Sequence, residues 1–143
     1  MECAIPSVYD DAFLRDILER AKRIAIIGLS PDESKDSHKV ARYLLERGFD
    51  VIPVYPKEER ILGQRVYRNL AEIPDFIDIV DVFRKSEAMS AVAKEAKERG
   101  GIGTLWGQLG ICNPEAERIL QGTEIKIVQN LCIKIEHRRL LGT

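Results

Sequence analysis

Hydrophobic positions in this chain switch between helical spacing and short continuous runs, and the switching recurs along most of its length. Phe13, Leu14, Ile17, Leu18 and Ala21 fall at helical intervals behind Asp10 and Asp11, either of which would cap a first helix running through about Lys22. Residues 23–28, RIAIIG, then form an apolar run closed by glycine, the pattern of a strand buried on both faces of a parallel sheet. A polar loop, LSPDESKDS, leads into residues 38–47, where Val40, Ala41, Leu44 and Leu45 return to helical spacing before Gly48 stops the helix. Residues 49–55 supply a second strand. Together these segments make a βαβ unit, which crosses over right-handed in a parallel sheet.

The pattern repeats downstream. Residues 77–83 read as a strand, 86–99 as an Ala-rich helix ended by Gly100 and Gly101, and 102–106 as another strand. Asn113 and Pro114 open a short helix to about Leu120, because Asn caps well and Pro suits the first helical position. Residues 125–129 close the alternation. The expected fold is α/β, a Rossmann-like doubly wound open sheet of about five parallel strands with helices on both faces. Such sheets take ligands at the carboxyl ends of their strands, which here means residues 28–37, 55–57, 83–84, 106–110 and 130–132.

The chain has 143 residues, the size of one domain, and offers no linker or repeat at which to divide it. We therefore expect one domain, with residues 1–22 an N-terminal helical extension and 23–139 the core. Its 22 Lys+Arg against 23 Asp+Glu argue against a strongly basic nucleic-acid binder but leave room for a local phosphate site. No apolar run approaches the roughly 20 residues of a membrane span. The start, MECAIPSVYDDAF, does not read as a signal peptide, so a cytoplasmic location is expected. Cys3, Cys112 and Cys132, odd in number and widely spaced, are expected as free thiols in a reducing compartment. With two histidines and no Cys-x-x-Cys pair, no structural zinc site is expected.

The loop after the first strand has the composition of a phosphate site. Gly28, Leu29 and Ser30 open it, and Ser34, Lys35, Ser37 and His38 lie near the start of the next helix, where free N–H groups and the helix dipole favour an anion. A plain alternative has Ser37 as the helix cap, with Lys35 and His38 on the surface. Two nucleotide signatures fail. Ser30 stands where the dinucleotide fingerprint has its second glycine, and Val54, Tyr55, Pro56, Lys57 carries no acidic residue for a ribose hydroxyl. No Gly-Lys-Ser/Thr occurs, which disfavours a P-loop. A small NAD(P)-binding oxidoreductase is thus a weaker reading, and Lys57 suits a phosphate.

The runs IAIIGLSPDESKDSHKVARYLLERGFDVIPVYP, YRNLAEIPDFIDIVDVFR, LWGQLGI and NLCIKIEH resemble the single-domain coenzyme A-binding protein family, related to the CoA-binding domain of the succinyl-CoA synthetase α subunit. The likeness extends from about Arg23 to Arg139. It implies that Gly28, Leu29, Ser30, Ser34, Lys35, Ser37 and His38 face the phosphates and the start of the pantetheine arm, with Lys57 near the nucleotide phosphates. It also implies that Val82, Phe83 and Arg84 flank the adenine side. Pro53 and Tyr55 at the second strand's end, Trp106 and Gln108 after the fourth, and Asn130 after the fifth complete the candidates. This chain has Tyr55-Pro56 where relatives commonly have Asn-Pro, and Asn130-Leu131-Cys132 where they have Asp-Arg-Cys.

No catalytic constellation is readable. His38 and His137 are the two histidines, and the phosphohistidine segment of the large synthetase has no counterpart in this sequence. Asp78 and Asp81 lie in a strand, where capping, pairing or solvent would explain them. Cys112 and Cys132 both follow strand ends, so a mixed disulfide with CoA is one reading and a buried inert thiol the other. The expected function is binding of CoA or an acyl-CoA as a non-catalytic module; the alternative is a trans-acting subunit of an acyl-CoA synthetase or transferase. Expected partners are the small-molecule ligand, a second copy in a homodimer, or an enzyme subunit, and neither nucleic acid nor membrane.

Overall fold

Each apolar run becomes a strand and each amphipathic run a helix. A computed structural model describes residues 9–142. In chain order the elements are α1 (Asp11–Arg20), β1 (Arg23–Ile27), α2 (Asp36–Glu46), β2 (Asp50–Val54), β3 (Arg60–Ile61), β4 (Gln64–Arg65), β5 (Ile77–Val82), α3 (Met89–Arg99), β6 (Ile102–Gly107), α4 (Pro114–Leu120), β7 (Lys126–Val128) and α5 (Ile133–Leu141). Five strands form one parallel sheet in the order β2-β1-β5-β6-β7. The chain runs outward from β1 to β2, then returns past β1 to β5. That reversal opens a crevice at the carboxyl ends of β1 and β5, where the turn after Ile27 faces the turn after Val82.

Alternate residues of the strands point to opposite faces, so the sheet builds two cores. Ile24 and Ile26 of β1, Ile79 of β5 and Trp106 of β6 pack under α1, α2 and α5, against Leu14, Leu18, Val40, Leu44 and Ile133. Ala25, Ile27, Val80, Val82 and Leu105 pack under α3 and α4, against Met89, Val92, Ala96, Ala116 and Leu120. The expected Rossmann-like sheet is therefore present. The α1 segment, expected as an extension, supplies buried Leu14, Ile17 and Leu18 to the first core. It is also tied to α5, where Arg139 clasps Asp11 at 2.8 Å.

Several boundaries differ from expectation for local reasons. The α2 helix begins at Asp36, and Lys35 occupies the capping position without a side-chain cap. Ser37 is not the cap; it is buried, and its Oγ accepts from the Ser30 N–H at 3.0 Å. Residues 86–88 form a 3₁₀ turn before α3 begins at Met89. Asp10 and Asn113 cap α1 and α4 as read. The β3–β4 hairpin was not expected, since its strands are two residues long and carry no alternation. Nor was α5, whose buried face at Ile133, Glu136 and His137 is two-thirds polar in identity and hides the helical period.

Candidate functional site

The site is built around the turn that ends β1. Gly28 has φ of +85°, its N–H donates to the Val54 carbonyl at 2.9 Å, and a Cβ there would lie 2.5 Å from the Phe83 carbonyl oxygen. Only glycine lets the β1 and β5 turns approach this closely. Beyond it, Ser30 Oγ accepts from the Asp32 N–H at 3.0 Å, and Asp32 Oδ1 accepts from the Ser34 N–H and hydroxyl at 2.9 and 2.8 Å. Those donors hold the Asp32 carboxyl below its ordinary range. The His38 Nδ1–H donates to the Ser30 carbonyl at 2.9 Å, tying the loop to the first turn of α2.

This network leaves specific groups open. With Nδ1 donating, the buried Nε2 of His38 meets no partner among the described residues. The N–H groups of Asp36 and Ser37 begin α2, before the intrahelical ladder supplies acceptors, and no side chain caps them. Ser34 and Lys35 are exposed beside them. An anion placed here would meet aligned N–H groups, the positive end of the helix dipole and a cation.

Beyond β2, the Tyr55 N–H donates to Tyr67 at 3.0 Å, and the Tyr67 N–H donates to Pro53 at 2.9 Å. Arg68 Nη1 donates to the carbonyls of both Tyr55 and Lys57 at 2.9 Å, fixing the loop that exposes the Lys57 ammonium. Arg65 stacks on the Tyr67 ring at 4.8 Å from its centroid. Across Gly28, a cleft of about 390 Å³ opens between α2 and α5, with Val40, Phe83, Gln108 and Cys132 in its wall.

The structure thus gathers Gly28, Leu29, Ser30, Ser34, Lys35, Ser37 and His38 in one turn and helix start. Tyr55 and Lys57 lie on one side of it, and Phe83 and Gln108 on the other. Phe83 lines the α5 cleft, whose wall does not include Lys57. Trp106 and Val82 have no exposed surface; the Trp106 indole donates to the Leu131 carbonyl at 2.9 Å and packs as core. Leu29 and Pro53 are buried as well, so the backbone, not the side chain, is what they can offer. Gln108 Oε1 accepts from the Ile133 N–H at 3.0 Å and sets the start of α5. Asn130, at φ +66°, accepts from the Gly110 N–H at 2.6 Å and shapes the neighbouring loops. Arg84 is exposed.

Two expectations need correction. Cys112 is disulfide-bonded and 1% exposed, so it is neither a free thiol nor a partner for a ligand; Cys132 is free and half-buried. Asp81 is explained by none of capping, pairing or solvent. It is fully buried beside Ile26 and Trp106, neither oxygen has a partner among the described residues, and burial pushes its carboxyl well above the ordinary range. Sequence reasoning also missed what α5 brings to the cleft, namely Lys134, Ile135 and Arg138. Their spacing of four residues, at 134 and 138, was the available signal. His137 points elsewhere, into a depression with Lys22, Arg47 and Phe49 near the amino ends of β1 and β2.

The fold matches that of known proteins. The chain belongs to the CoA binding domain family, which it matches over residues 22–138. It is 39% identical over 126 residues to uncharacterized protein YneT of Bacillus subtilis (strain 168), covering 88% of this chain and 93% of that one. A hypothetical protein from Pyrococcus horikoshii OT3 superposes with a TM-score of 0.89 at 39% identity, over 99% of this chain and 100% of that one. The ADP-forming acetate–CoA ligase II subunit alpha of Pyrococcus furiosus is 28% identical over 106 residues, 72% of this chain but 23% of that subunit. The likeness to the ligase subunit is therefore to one of its domains.

Proposed function

We propose that this protein binds coenzyme A, free or acylated, through the carboxyl-end turns of its sheet, as a binding module without a catalytic group of its own. The observation that carries the reading is the uncapped start of α2. The open N–H groups of Asp36 and Ser37 stand beside Gly28, with Lys35 next to them and Lys57 across the crevice. That arrangement fits a diphosphate at the helix start, with the nucleotide end of the ligand toward β2 and Lys57. The orphaned His38 Nε2 adds a buried polar atom in the same turn. His137, at the opposite end of the strands, has no access to such a ligand.

Isothermal titration with CoA, dephospho-CoA and NADH tests the reading. Saturable CoA binding is expected, weakened severalfold by Lys35→Ala or Lys57→Ala, with NADH silent. Absence of CoA binding to the intact protein would overturn it. A second reading, a subunit working in trans with other chains of an acyl-CoA ligase, is favoured by the likeness to the P. furiosus ligase subunit. Co-purification with a nucleotide-binding ligase chain would support it.

A further inference from the structure

The cleft between α2 and α5 is chemically two-sided. Its wall is apolar, with Val40 and Phe83 inside and Leu109 and Ile135, 64% and 45% exposed, at the rim. These are two of the three large hydrophobic side chains that stand exposed among the described residues. Its charge is strongly biased: Lys39, Lys134 and Arg138 line it against the single carboxylate of Asp36. Among the described residues none of the three cations makes an ion pair, whereas the adjacent Arg139 is held by both Asp11 and Glu136. The Lys134 ammonium rests only over the Tyr43 ring, 5.7 Å from its centroid.

The start of α5 adds to this bias. Gln108 satisfies the Ile133 N–H, and Cys132 supplies no side-chain cap, so the following N–H groups are left uncapped at a helix start that lines the same cleft. The cleft lies across the Gly28 turn from Lys57. A CoA whose nucleotide end lies toward Lys57 would extend its thiol end here. An uncharged acyl group would use the apolar wall and leave the cations unmatched. An acyl chain that ends in a carboxylate would use both.

We infer that the α2–α5 cleft receives the acyl end of the ligand and selects CoA thioesters of dicarboxylic acids. This rests on the CoA reading above. The same anion-seeking chemistry would also suit the ligand's 3′-phosphate if the ligand lay reversed, and the two sources behave differently in one experiment.

The intact protein is titrated calorimetrically with CoA, butyryl-CoA and succinyl-CoA, the two thioesters having four-carbon acyl chains that differ in the terminal carboxylate. Succinyl-CoA is expected to bind on the order of tenfold more tightly than butyryl-CoA, a margin that shrinks with added salt. The double variant Lys134→Gln, Arg138→Gln is expected to bring the ratio close to one. Equal affinities for the two thioesters, with CoA still binding, would overturn the acyl-selectivity inference alone. So would a double variant that weakens all three ligands equally, which is the behaviour of a reversed 3′-phosphate. If none of the three binds, the CoA reading fails and this inference falls with it.

Discussion

The hydroxyl of Tyr43 stands 2.9 Å from Nδ1 of His137 and joins α2 to α5 behind the cleft they enclose. The phenol and the imidazole share a hydrogen bond, and the imidazole ring also meets Phe49 edge-on at 5.4 Å. Burial, and then the neighbouring Arg47 charge, hold the His137 pKa below its ordinary value. The two helices that frame the cleft are thus joined through a group whose neutral form the fold favours.

A pH dependence of stability follows. Above the unfolded-state value of about 6.5, both states carry neutral His137 and the bond contributes fully. As pH falls below that value the unfolded chain takes up the proton first, so stability declines until the folded-state pKa is passed. Melting temperatures of the wild type should fall as the pH is lowered from 7.5 to 5. His137→Gln, which keeps an acceptor but does not titrate, should flatten that part of the profile. An unchanged slope in the variant would assign the loss to another group.

Gly28→Ala should be severe. The new Cβ would meet the Phe83 carbonyl at 2.5 Å in a residue held at φ +85°. Left-handed strain and the steric clash together should cost about 2–4 kcal/mol, read as a shift of the urea midpoint. Gly110→Ala is the control for strain without a clash. Its φ is +84° and a Cβ there has open space, so it should cost about 1–2 kcal/mol.

Much of this architecture was legible because parallel strands buried on both faces are continuous apolar runs, and glycine or proline punctuates the helices between them. RIAIIG and IDIVDV fell within a residue of β1 and β5. The turn at Gly28 was legible for the same reason, as a glycine at a strand end before a capped or uncapped helix. The α5 helix was not, because its buried face includes Glu136 and His137, which are polar and are satisfied by Arg139 within the same helix and by Tyr43 on the distant α2. The cleft depends on α5, so half of it escaped as well. The plain alternative of Ser37 as a helix cap fails because its hydroxyl, which looks locally like one, accepts instead from the Ser30 N–H across the loop.

The thiols should separate cleanly by reactivity. Cys132 is free, half-buried and in the cleft wall; Cys112 is disulfide-bonded and almost without exposed surface. Iodoacetamide under non-reducing conditions should label Cys132 and spare Cys112, as peptide mass mapping would show. Saturating CoA should slow that labelling severalfold by covering the cleft. Labelling at an unchanged rate would place the ligand's thiol end elsewhere.

Asp81 carries the opposite pH signature to His137. Its carboxyl is fully buried with neither oxygen paired, and burial raises its pKa well above the ordinary range. Below the unfolded value of about 3.9 both states are protonated and the folded state bears no charge there. As pH rises, the unfolded chain releases its proton first and is favoured, so stability is lost progressively until the folded-state pKa is passed. Asp81→Asn removes the ionisation while keeping the shape, and leaves a buried amide in place of a buried acid. At pH 8 the variant should be more stable than the wild type, because the wild type alone has lost stability there through its raised carboxyl pKa. At pH 4 the two should nearly coincide. Urea denaturation of both proteins at the two pH values measures the difference, and an advantage for Asn of equal size at pH 4 would show that packing, not charge, is what the aspartate costs.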